Sequence, residues 1–218
     1  MRVVAIDGPS GSGKSTVARA VAAALGIPPL DTGAMYRAVT LALLRTGADP
    51  TDEGRAVAVA QAMDLAVGEQ IELEGRDVSV EIRSPEVTAA VSTVAAHPGV
   101  RRILVDRQRA WVERHGGGVV EGRDIGTVVF PDAPLKVFLD ANDEERARRR
   151  QRDDRDGSSR ADFETVMESI RRRDARDSTR AASPLVAAPD AVVIDTTGRD
   201  ADQVIAEVLA HAHEVFGA

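Results

Sequence analysis

Short apolar runs alternate along this chain with longer segments in which apolar residues recur every three or four positions. Four runs predict buried strands of a parallel sheet: residues 3–6, 119–121, 135–139 and 191–195. Helices are predicted at residues 16–25, 31–44, 51–63, 85–96, 99–115 and 200–216, and from about residues 142 and 162 onwards. The alternation indicates an α/β fold in which helices flank a parallel sheet.

Residues 65–82 have a different pattern. Residues 71–74 and 78–82 alternate apolar and polar side chains, and Gly68 and Gly75 provide turn signals beside them. This pattern predicts a small antiparallel meander, which we assign to a subdomain inserted into the α/β core.

The first apolar run leads into residues 8–15, which match the phosphate-binding pattern G-x-x-x-x-G-K-[S/T]. The segment lies between a predicted strand and a predicted helix, which is the context that the pattern requires. Glycine lets the backbone turn its N–H groups inward, and the helix N-terminus adds positive potential. The segment is therefore predicted to be a phosphate-binding loop, the P-loop.

Two side chains of the P-loop have predicted roles of their own. Lys14 is expected to reach the β- and γ-phosphates of a nucleotide, and the Ser15 hydroxyl is expected to bind Mg²⁺. Lys14 and Lys136 are the only lysines among 28 basic residues. A chain rich in arginine thus retains a compact ammonium group where phosphates would bind.

Composition limits the classes of protein that this sequence can represent. The chain has 218 residues, no cysteine and a formal net charge of −7. We expect a single domain without disulfides, and the acidic balance argues against bulk binding of nucleic acid. No apolar run is long enough to span a bilayer and no leader is recognisable, so we expect a cytoplasmic protein.

Arginines are concentrated between residues 146 and 180. A local positive region in an acidic protein suits a small anionic substrate, although a solvated helix face would look similar. On the helix predicted from residue 162, one face changes from apolar to charged. The apolar part is Phe163, Val166, Met167 and Ile170, and the charged part is Arg173, Asp177 and Arg180. The first part would pack on the core while the second projects into a cleft; a helix emerging into solvent is the alternative.

Two further groups are candidates for binding. Arg123 and Asp124 follow the strand at residues 119–121, and ligands of open α/β sheets bind beyond the carboxyl ends of strands. Thr32 and Tyr36 lie four residues apart, so they share one face of a helix. A structural Arg–Asp pair and an ordinary buried tyrosine are the simpler interpretations.

The chain resembles the bacterial cytidylate kinase family, a group of nucleoside monophosphate kinases, along essentially its whole length. The resemblance is carried by residues 6–15, 31–37, 81–83, 122–134 and 173–180. It implies a P-loop kinase fold with a core at residues 1–31, 102–145 and 161–218. It also implies a monophosphate-binding insert at residues 32–101 and a short lid at residues 146–160.

The resemblance also implies roles for individual residues. The ATP phosphates would be held by Gly8, Pro9, Ser10, Gly11, Ser12, Gly13, Lys14, Ser15 and Thr16. Cytosine would contact Ser92, Arg101 and Asp124, and the monophosphate would contact Arg37, Arg123 and Arg173. Tyr36, Asp177 and Arg180 would surround the ribose and phosphate, and Thr32 stands where relatives often have serine. The catalytic residues would be Lys14, Arg123, Arg173 and Arg180, and the lid arginine that reaches ATP is left open among Arg146, Arg149, Arg150, Arg155 and Arg160.

The implied reaction transfers the γ-phosphoryl group of ATP to CMP or dCMP, with Mg²⁺ as cofactor. A carboxylate at Asp124 would accept a hydrogen bond from the cytosine amino group, where uracil has an acceptor instead, so CMP is expected over UMP. The alternative is a P-loop kinase for another small metabolite or monophosphate such as UMP. A GTPase switch and a non-catalytic nucleotide-binding protein are rivals from other classes. The expected partners are small nucleotides, without nucleic acid or membrane, and we expect a monomer.

Overall fold

The computed structural model describes residues 1–155, 162–180 and 183–217, with side chains omitted at residues 153–155. The chain forms two compact units, Met1–Pro28 with Gly117–Ala218, and Pro29–Gly116. The first unit contains β1 (Arg2–Asp7) and α1 (Lys14–Leu25). The second contains β2 (Pro29–Asp31), α2 (Thr32–Arg45), α3 (Glu53–Ala62), β3 (Leu65–Val67), β4 (Ile71–Leu73), β5 (Arg76–Asp77), α4 (Pro85–Val94) and α5 (Pro98–His115). The chain then returns to the first unit with β6 (Gly117–Gly122), β7 (Leu135–Asp140), α6 (Asp143–Arg155), α7 (Phe163–Ser178), β8 (Val192–Asp195) and α8 (Ala201–Phe216).

The first unit is built on parallel strands in the order β6-β1-β7-β8. The register places Asp7, the last residue of β1, opposite Gly122 of β6 and Phe138 of β7. The carboxyl ends of β1 and β6 are therefore level. The segments that follow them, the P-loop and residues 123–126, leave from the same edge of the sheet, which is where ligands of open α/β sheets bind.

Both faces of the central strand are buried. Val4 and Ile6 lie on one face, in a cluster that includes Val21 of α1 and Val208 of α8, and Val3 and Ala5 on the opposite face are also buried. Strands buried in this way have continuous apolar sequences rather than alternating ones, which is the pattern of residues 3–6. The prediction of a parallel α/β core is confirmed.

Helices α2, α3 and α4 of the second unit begin at side-chain caps. Asp31 accepts a hydrogen bond from Ala34 N at the start of α2, and Asp52 accepts one from Arg55 N at the start of α3. Ser84 caps α4, whose first residue is a proline. These caps satisfy N–H groups that the helix itself leaves unpaired, so the helix starts are encoded locally.

The antiparallel meander is present as β3-β4-β5, but the prediction of a strand at residues 78–82 is wrong. The third strand is Arg76–Asp77, and Glu81–Arg83 form a 3-10 turn. The Asp77 carboxylate accepts the N–H of Ser79 at 2.8 Å, which turns the chain immediately after β5. Val78 and Ile82 are buried and Val80 is 85% exposed, so the alternation arises from a turn.

Two local features were not predicted. Residues Pro29–Asp31 pair as β2, and Ile125–Val129 form a single π-helical turn. The partition into core, insert and lid stays a prediction, since compact units at 1–28 with 117–218 and at 29–116 do not test binding regions. Residues 156–160 of the predicted lid lie outside the described residues. No helix in the described part of the chain is both long and apolar enough to cross a membrane.

Candidate active site

The segment from residue 8 to residue 16 joins β1 to α1 as a strand–loop–helix unit, as the sequence predicted. Gly11 has φ 79°, in the left-handed region that favours glycine. A Cβ on Gly8 would lie 2.1 Å from the carbonyl oxygen of Leu139, and one on Gly11 would lie 2.8 Å from that of Arg146. Both glycines are therefore required by close backbone approach as well as by conformation.

The side chain of Lys14 lies within the P-loop. Lys14 is only 7% exposed, and its Nζ donates to the carbonyl oxygen of Pro9 at 2.6 Å and to Ser12 Oγ at 3.4 Å. The ammonium group is thus held by neutral oxygen atoms of the loop. An anion bound in the loop would be a stronger partner for it.

The electrostatic environment of Lys14 disfavours its charged form. Burial lowers the pKa of Lys14 to about 7, and the nearby guanidinium groups of Arg123 and Arg173 act in the same direction. Glu121 and Asp7 oppose this effect. A bound phosphate would restore the usual preference for the ammonium form, so this position is suited to an anionic ligand.

Ser15 faces a carboxylate that the sequence analysis missed. Its hydroxyl donates to Glu121 Oε2 at 2.8 Å, and Glu121 is buried near the end of β6. The one sequence feature that could have indicated Glu121 as a site residue is its position as an acidic residue at the end of a buried strand. Hydroxyl and carboxylate oxygens are ligands that Mg²⁺ accepts, usually together with water and substrate phosphates. The donor set therefore fits a magnesium ion carried by a nucleotide.

Asp177 organises the basic residues of α7 and the end of β6. Arg123 Nε donates to Asp177 Oδ2 at 3.1 Å, Arg180 donates to the other oxygen, and Arg173 Nε lies 4.0 Å away. Asp177 is 1% exposed. The structure thus brings these four predicted residues together. The predicted change of helix face is confirmed for Arg173 and Asp177, since Val166 and Ile170 are buried on the preceding turns, whereas Arg180 lies beyond the end of α7.

The charges in this cluster do not balance, because three guanidinium groups surround one carboxylate. Burial lowers the pKa of Arg173 to about 10, and the neighbouring Arg123 contributes to the shift. A surplus of positive charge on partly buried groups suits a phosphate-binding site.

Asp124 is buried with 4% exposure at the end of β6. The next two residues, Ile125 and Gly126, donate their backbone N–H groups to the carboxylate of Asp7. Asp7 was not among the predicted site residues. Its only distinguishing feature in the sequence is that it is a charged residue directly after an apolar run. The segment that contains Asp124 is therefore fixed to the end of the central strand.

Two predicted lid arginines bind the P-loop backbone. Arg146 donates to the carbonyl oxygens of Ser10 at 3.1 Å and of Ala141 at 3.0 Å. Arg149 donates to the carbonyl oxygen of Ser12 at 3.4 Å, and to Thr196. The two arginines therefore fix the carbonyl groups of Ser10 and Ser12. The side chain of Arg155 and the whole of Arg160 lie outside the described residues.

Asp174 also contacts the P-loop and was missed by the sequence analysis. Its carboxylate pairs with Arg146 and accepts the N–H of Ser10 at 3.4 Å. Asp174 lies next to Arg173 on α7, among arginines that made its charge look like part of a solvated face. Helices α6 and α7 thus both hold the beginning of the loop.

Five predicted residues lie in the second unit, all buried. Arg37 donates through Nη1 to the carbonyl oxygen of Ile82 and to Thr88 Oγ1, both at 3.0 Å. Arg101 donates to the carbonyl oxygen of Ala95 at 3.2 Å, and its guanidinium lies 5.4 Å from the ring centre of Tyr36. The other two members are Thr32, the first residue of α2, and Ser92 on α4.

Comparison with known proteins identifies the family. The family model described as cytidylate kinase matches residues 4–214. The cytidylate kinase of Mycobacterium avium strain 104 is 52% identical, over 98% of this chain and 94% of that protein. The cytidylate kinase of Mycobacterium leprae is 51% identical, over 99% of this chain and 97% of that protein.

Solved structures agree with the fold. The crystal structure of an uncharacterized protein from Eubacterium ventriosum has a TM-score of 0.53 and 15% identity, over 97% of this chain and 98% of that one. At this identity the likeness concerns the fold alone. The match to the family model over nearly the whole sequence, and identity above 50% to its members, show that this chain belongs to the cytidylate kinase family.

Proposed function

We propose that this protein transfers the γ-phosphoryl group of ATP to CMP or dCMP, giving ADP and CDP or dCDP. The observation that carries the proposal is full-length membership of the cytidylate kinase family, in a chain whose P-loop lysine is buried beside an arginine cluster. The family gives the acceptor, and the surplus positive charge of the partly buried arginines suits a reaction between two anions.

The chemistry requires positioning more than acid–base catalysis. The acceptor is a phosphate oxygen that is already anionic near neutral pH, so no strong general base is needed. Lys14 would neutralise the donor phosphates, while Arg123, Arg173 and Arg180 would neutralise the acceptor phosphate and the transferred group. Asp177 would keep those guanidinium groups at fixed positions, as its contacts with Arg123 and Arg180 support.

The Ser15 hydroxyl and the Glu121 carboxylate would hold Mg²⁺, Ser15 directly and Glu121 beside it. The ion supplies neutralisation of charge on the β- and γ-phosphates when it is bound. This role is supported by the distance of 2.8 Å between Ser15 Oγ, at the start of α1, and Glu121 Oε2, near the end of β6. The chain's own contribution would be to place the Ser15 hydroxyl and the Glu121 carboxylate beside the nucleotide phosphates that the P-loop binds.

Recognition of the base would fall to Asp124, Ser92 and Arg101. Asp124 would accept from the exocyclic amino group of cytosine, and the other two would donate to the ring nitrogen and carbonyl oxygen. Uracil would place its carbonyl oxygen against the carboxylate of Asp124, leaving two acceptors unpaired at a cost of about 1–3 kcal/mol. The protein would therefore prefer CMP to UMP.

The ribose and monophosphate would be held from α2 and α7. Arg37 would bind the phosphate, and its existing bonds to Ile82 and Thr88 support a fixed guanidinium. Thr32 and Tyr36 would lie beside the nucleotide on the same helix. The contact between Arg101 and the Tyr36 ring supports a shared role for these two residues.

The test is an ADP-release assay with CMP, dCMP, UMP, AMP and several non-nucleotide acceptors. We expect turnover with CMP and dCMP well above that with UMP or AMP. Turnover confined to a non-nucleotide acceptor, or ATP binding without transfer to any acceptor, would contradict the proposal.

Light scattering in the same preparation tests the monomeric state, for which the expected mass is 23.1 kDa. A cytoplasmic location stays part of the proposal, and cell fractionation would test it.

A further inference from the structure

Asp7 closes β1 with a carboxylate that uses both of its oxygen atoms. Oδ1 accepts the N–H of Ile125 at 2.8 Å, and Oδ2 accepts the N–H of Gly126 at 2.7 Å. Asp7 is 4% exposed, and it lies next to Gly8, the first residue of the P-loop. One side chain therefore connects the start of the phosphate loop with a segment 118 residues later in the chain.

A buried carboxylate is costly to retain, so its oxygen atoms need partners in the fold. Burial raises the pKa of Asp7 to about 6, and the N–H groups of Gly126 and Ile125 offset only part of this effect. Asp124 also raises it, and Lys14 lowers it. Pairing of β1 with its neighbours does not require this side chain, whose hydrogen bonds go to the two residues that follow Asp124.

The two bound amides follow Asp124 directly. The amide planes of Ile125 and Gly126 are fixed by Asp7, and the carbonyl oxygen of Asp124 accepts the N–H groups of Val128 and Val129 at 2.9 and 3.1 Å. The backbone on the carboxyl side of Asp124 is thus held at both its N–H and C=O groups. This fixes the direction in which the Asp124 side chain leaves the backbone.

The other side of this turn is also closed. A Cβ on Gly126 would lie 3.1 Å from Cδ of Lys136, whose ammonium group binds Asp190 at 2.8 and 2.9 Å. Gly126 therefore lies between the Asp7 carboxylate and the stem of Lys136. The turn has little freedom to move while Asp7 is ionised.

We infer that Asp7 is a positioning residue for base recognition, which sets the direction of Asp124 through the amides of Ile125 and Gly126. The inference rests on the proposed function, in which Asp124 binds cytosine. Asp7 itself touches no substrate in this scheme. Its loss would therefore affect the choice of base more than the binding of ATP.

The experiment is steady-state kinetics of Asp7→Asn with CMP, UMP and ATP. The variant keeps one acceptor but places an amino group against the second amide, so one buried donor loses its partner. We expect KM for CMP to rise about 10-fold, the CMP:UMP ratio of kcat/KM to fall similarly, and KM for ATP to change less than about 2-fold. Asp132→Asn is the matched control, because it removes an exposed carboxylate a few residues after the same turn and should leave these ratios unchanged.

A folded Asp7→Asn protein with unchanged KM for CMP and an unchanged CMP:UMP ratio would overturn the inference. An equal loss for CMP, UMP and ATP would also overturn it, because that result indicates general damage. The proposed function fails separately, if the wild-type protein does not phosphorylate CMP. Loss of base preference in Asp124→Asn but not in Asp7→Asn would leave the proposed function standing and reject the role of Asp7.

A measurement on the wild-type protein covers the case in which the variant does not fold. The amide resonances of Ile125 and Gly126 are followed by NMR between roughly pH 5 and pH 8, alongside the CMP:UMP ratio of kcat/KM. Both nucleotides carry the same phosphate, so its titration cancels in the ratio. We expect the ratio to fall as the two amide resonances shift on acidification. A constant ratio while those resonances titrate, or resonances that do not titrate, would overturn the inference.

Discussion

Arg123 at the end of β6 and Asp177 on α7 form an ion pair, with 3.1 Å between Nε and Oδ2. The two residues are 54 positions apart in the chain. Their contact joins the edge of the sheet to the helix that carries Arg173 and that ends two residues before Arg180. Asp177 is therefore an internal counterion that keeps mutually repelling guanidinium groups together while leaving a net positive charge.

The counterion role predicts the effect of Asp177→Asn. The neutral amide cannot offset three guanidinium groups, so the cluster should spread and the acceptor phosphate should bind less well. We expect KM for CMP to rise about 10-fold or more, together with a lower unfolding temperature. Asp106→Asn, an exposed change on α5, is the control. Unchanged CMP kinetics in the Asp177 variant would mean that the cluster does not bind the acceptor.

Lys14→Met separates function from stability. The substitution removes a cation aimed at the donor phosphates, so we expect kcat to fall about 100-fold or more. The same change removes a buried ammonium group that the fold disfavours, as its lowered pKa indicates, so the unfolding temperature should not decrease. Arg19→Met, at an exposed position of the same helix, should leave kcat unchanged. Near-normal turnover of Lys14→Met would contradict the P-loop assignment.

Asp124→Asn should reduce discrimination between bases. An amide can present its amino group to the uracil carbonyl, so the penalty against UMP becomes smaller and CMP loses its acceptor. We expect the CMP:UMP ratio of kcat/KM to fall about 10-fold with little change in KM for ATP. Asp132→Asn is the control, since Asp132 is exposed a few residues later. An unchanged ratio would show that another residue recognises the base.

Glu121→Gln should weaken the use of Mg²⁺. The amide can still bind the Ser15 hydroxyl but no longer provides a negative charge next to the ion, so the Mg²⁺ concentration for half-maximal rate should rise about 10-fold. Titration of Mg²⁺ at fixed ATP measures this. Glu113→Gln changes an exposed carboxylate on α5 and should have no effect. The same Mg²⁺ dependence in all three proteins would place the ion elsewhere.

The raised pKa of Asp7 predicts a pH dependence of stability. Since its pKa is 3.8 in the unfolded chain and about 6 when folded, its stabilising contribution is complete below pH 3.8 and is lost as the pH rises through 6. Relative to Asp7→Asn, the wild-type free energy of unfolding should decrease by about 2 kcal/mol between pH 4 and pH 7. Urea unfolding of both proteins at several pH values measures the difference. A difference that does not vary with pH would contradict the shift.

The sequence by itself determined what depends on neighbouring residues. The P-loop could be predicted because strand, glycine segment and helix are contiguous, and the charged end of α7 could be predicted because helical spacing places Arg173 and Asp177 on one face. The alternation of strands and helices gave the parallel α/β core. Local pattern failed at residues 78–82, where one hydrogen bond from Ser79 to Asp77 turned an alternating segment away from a strand.

Only the tertiary structure decided which distant groups meet. Ser15 and Glu121 are 106 residues apart, Asp7 and Ile125 are 118 apart, and Arg146 and Ser10 are 136 apart. The register between β1 and β6 and the packing of α6 against the loop select these partners, and neither leaves a periodic trace in the sequence. Buried polar groups must find partners wherever the folded chain places them, so such pairs follow from the completed fold.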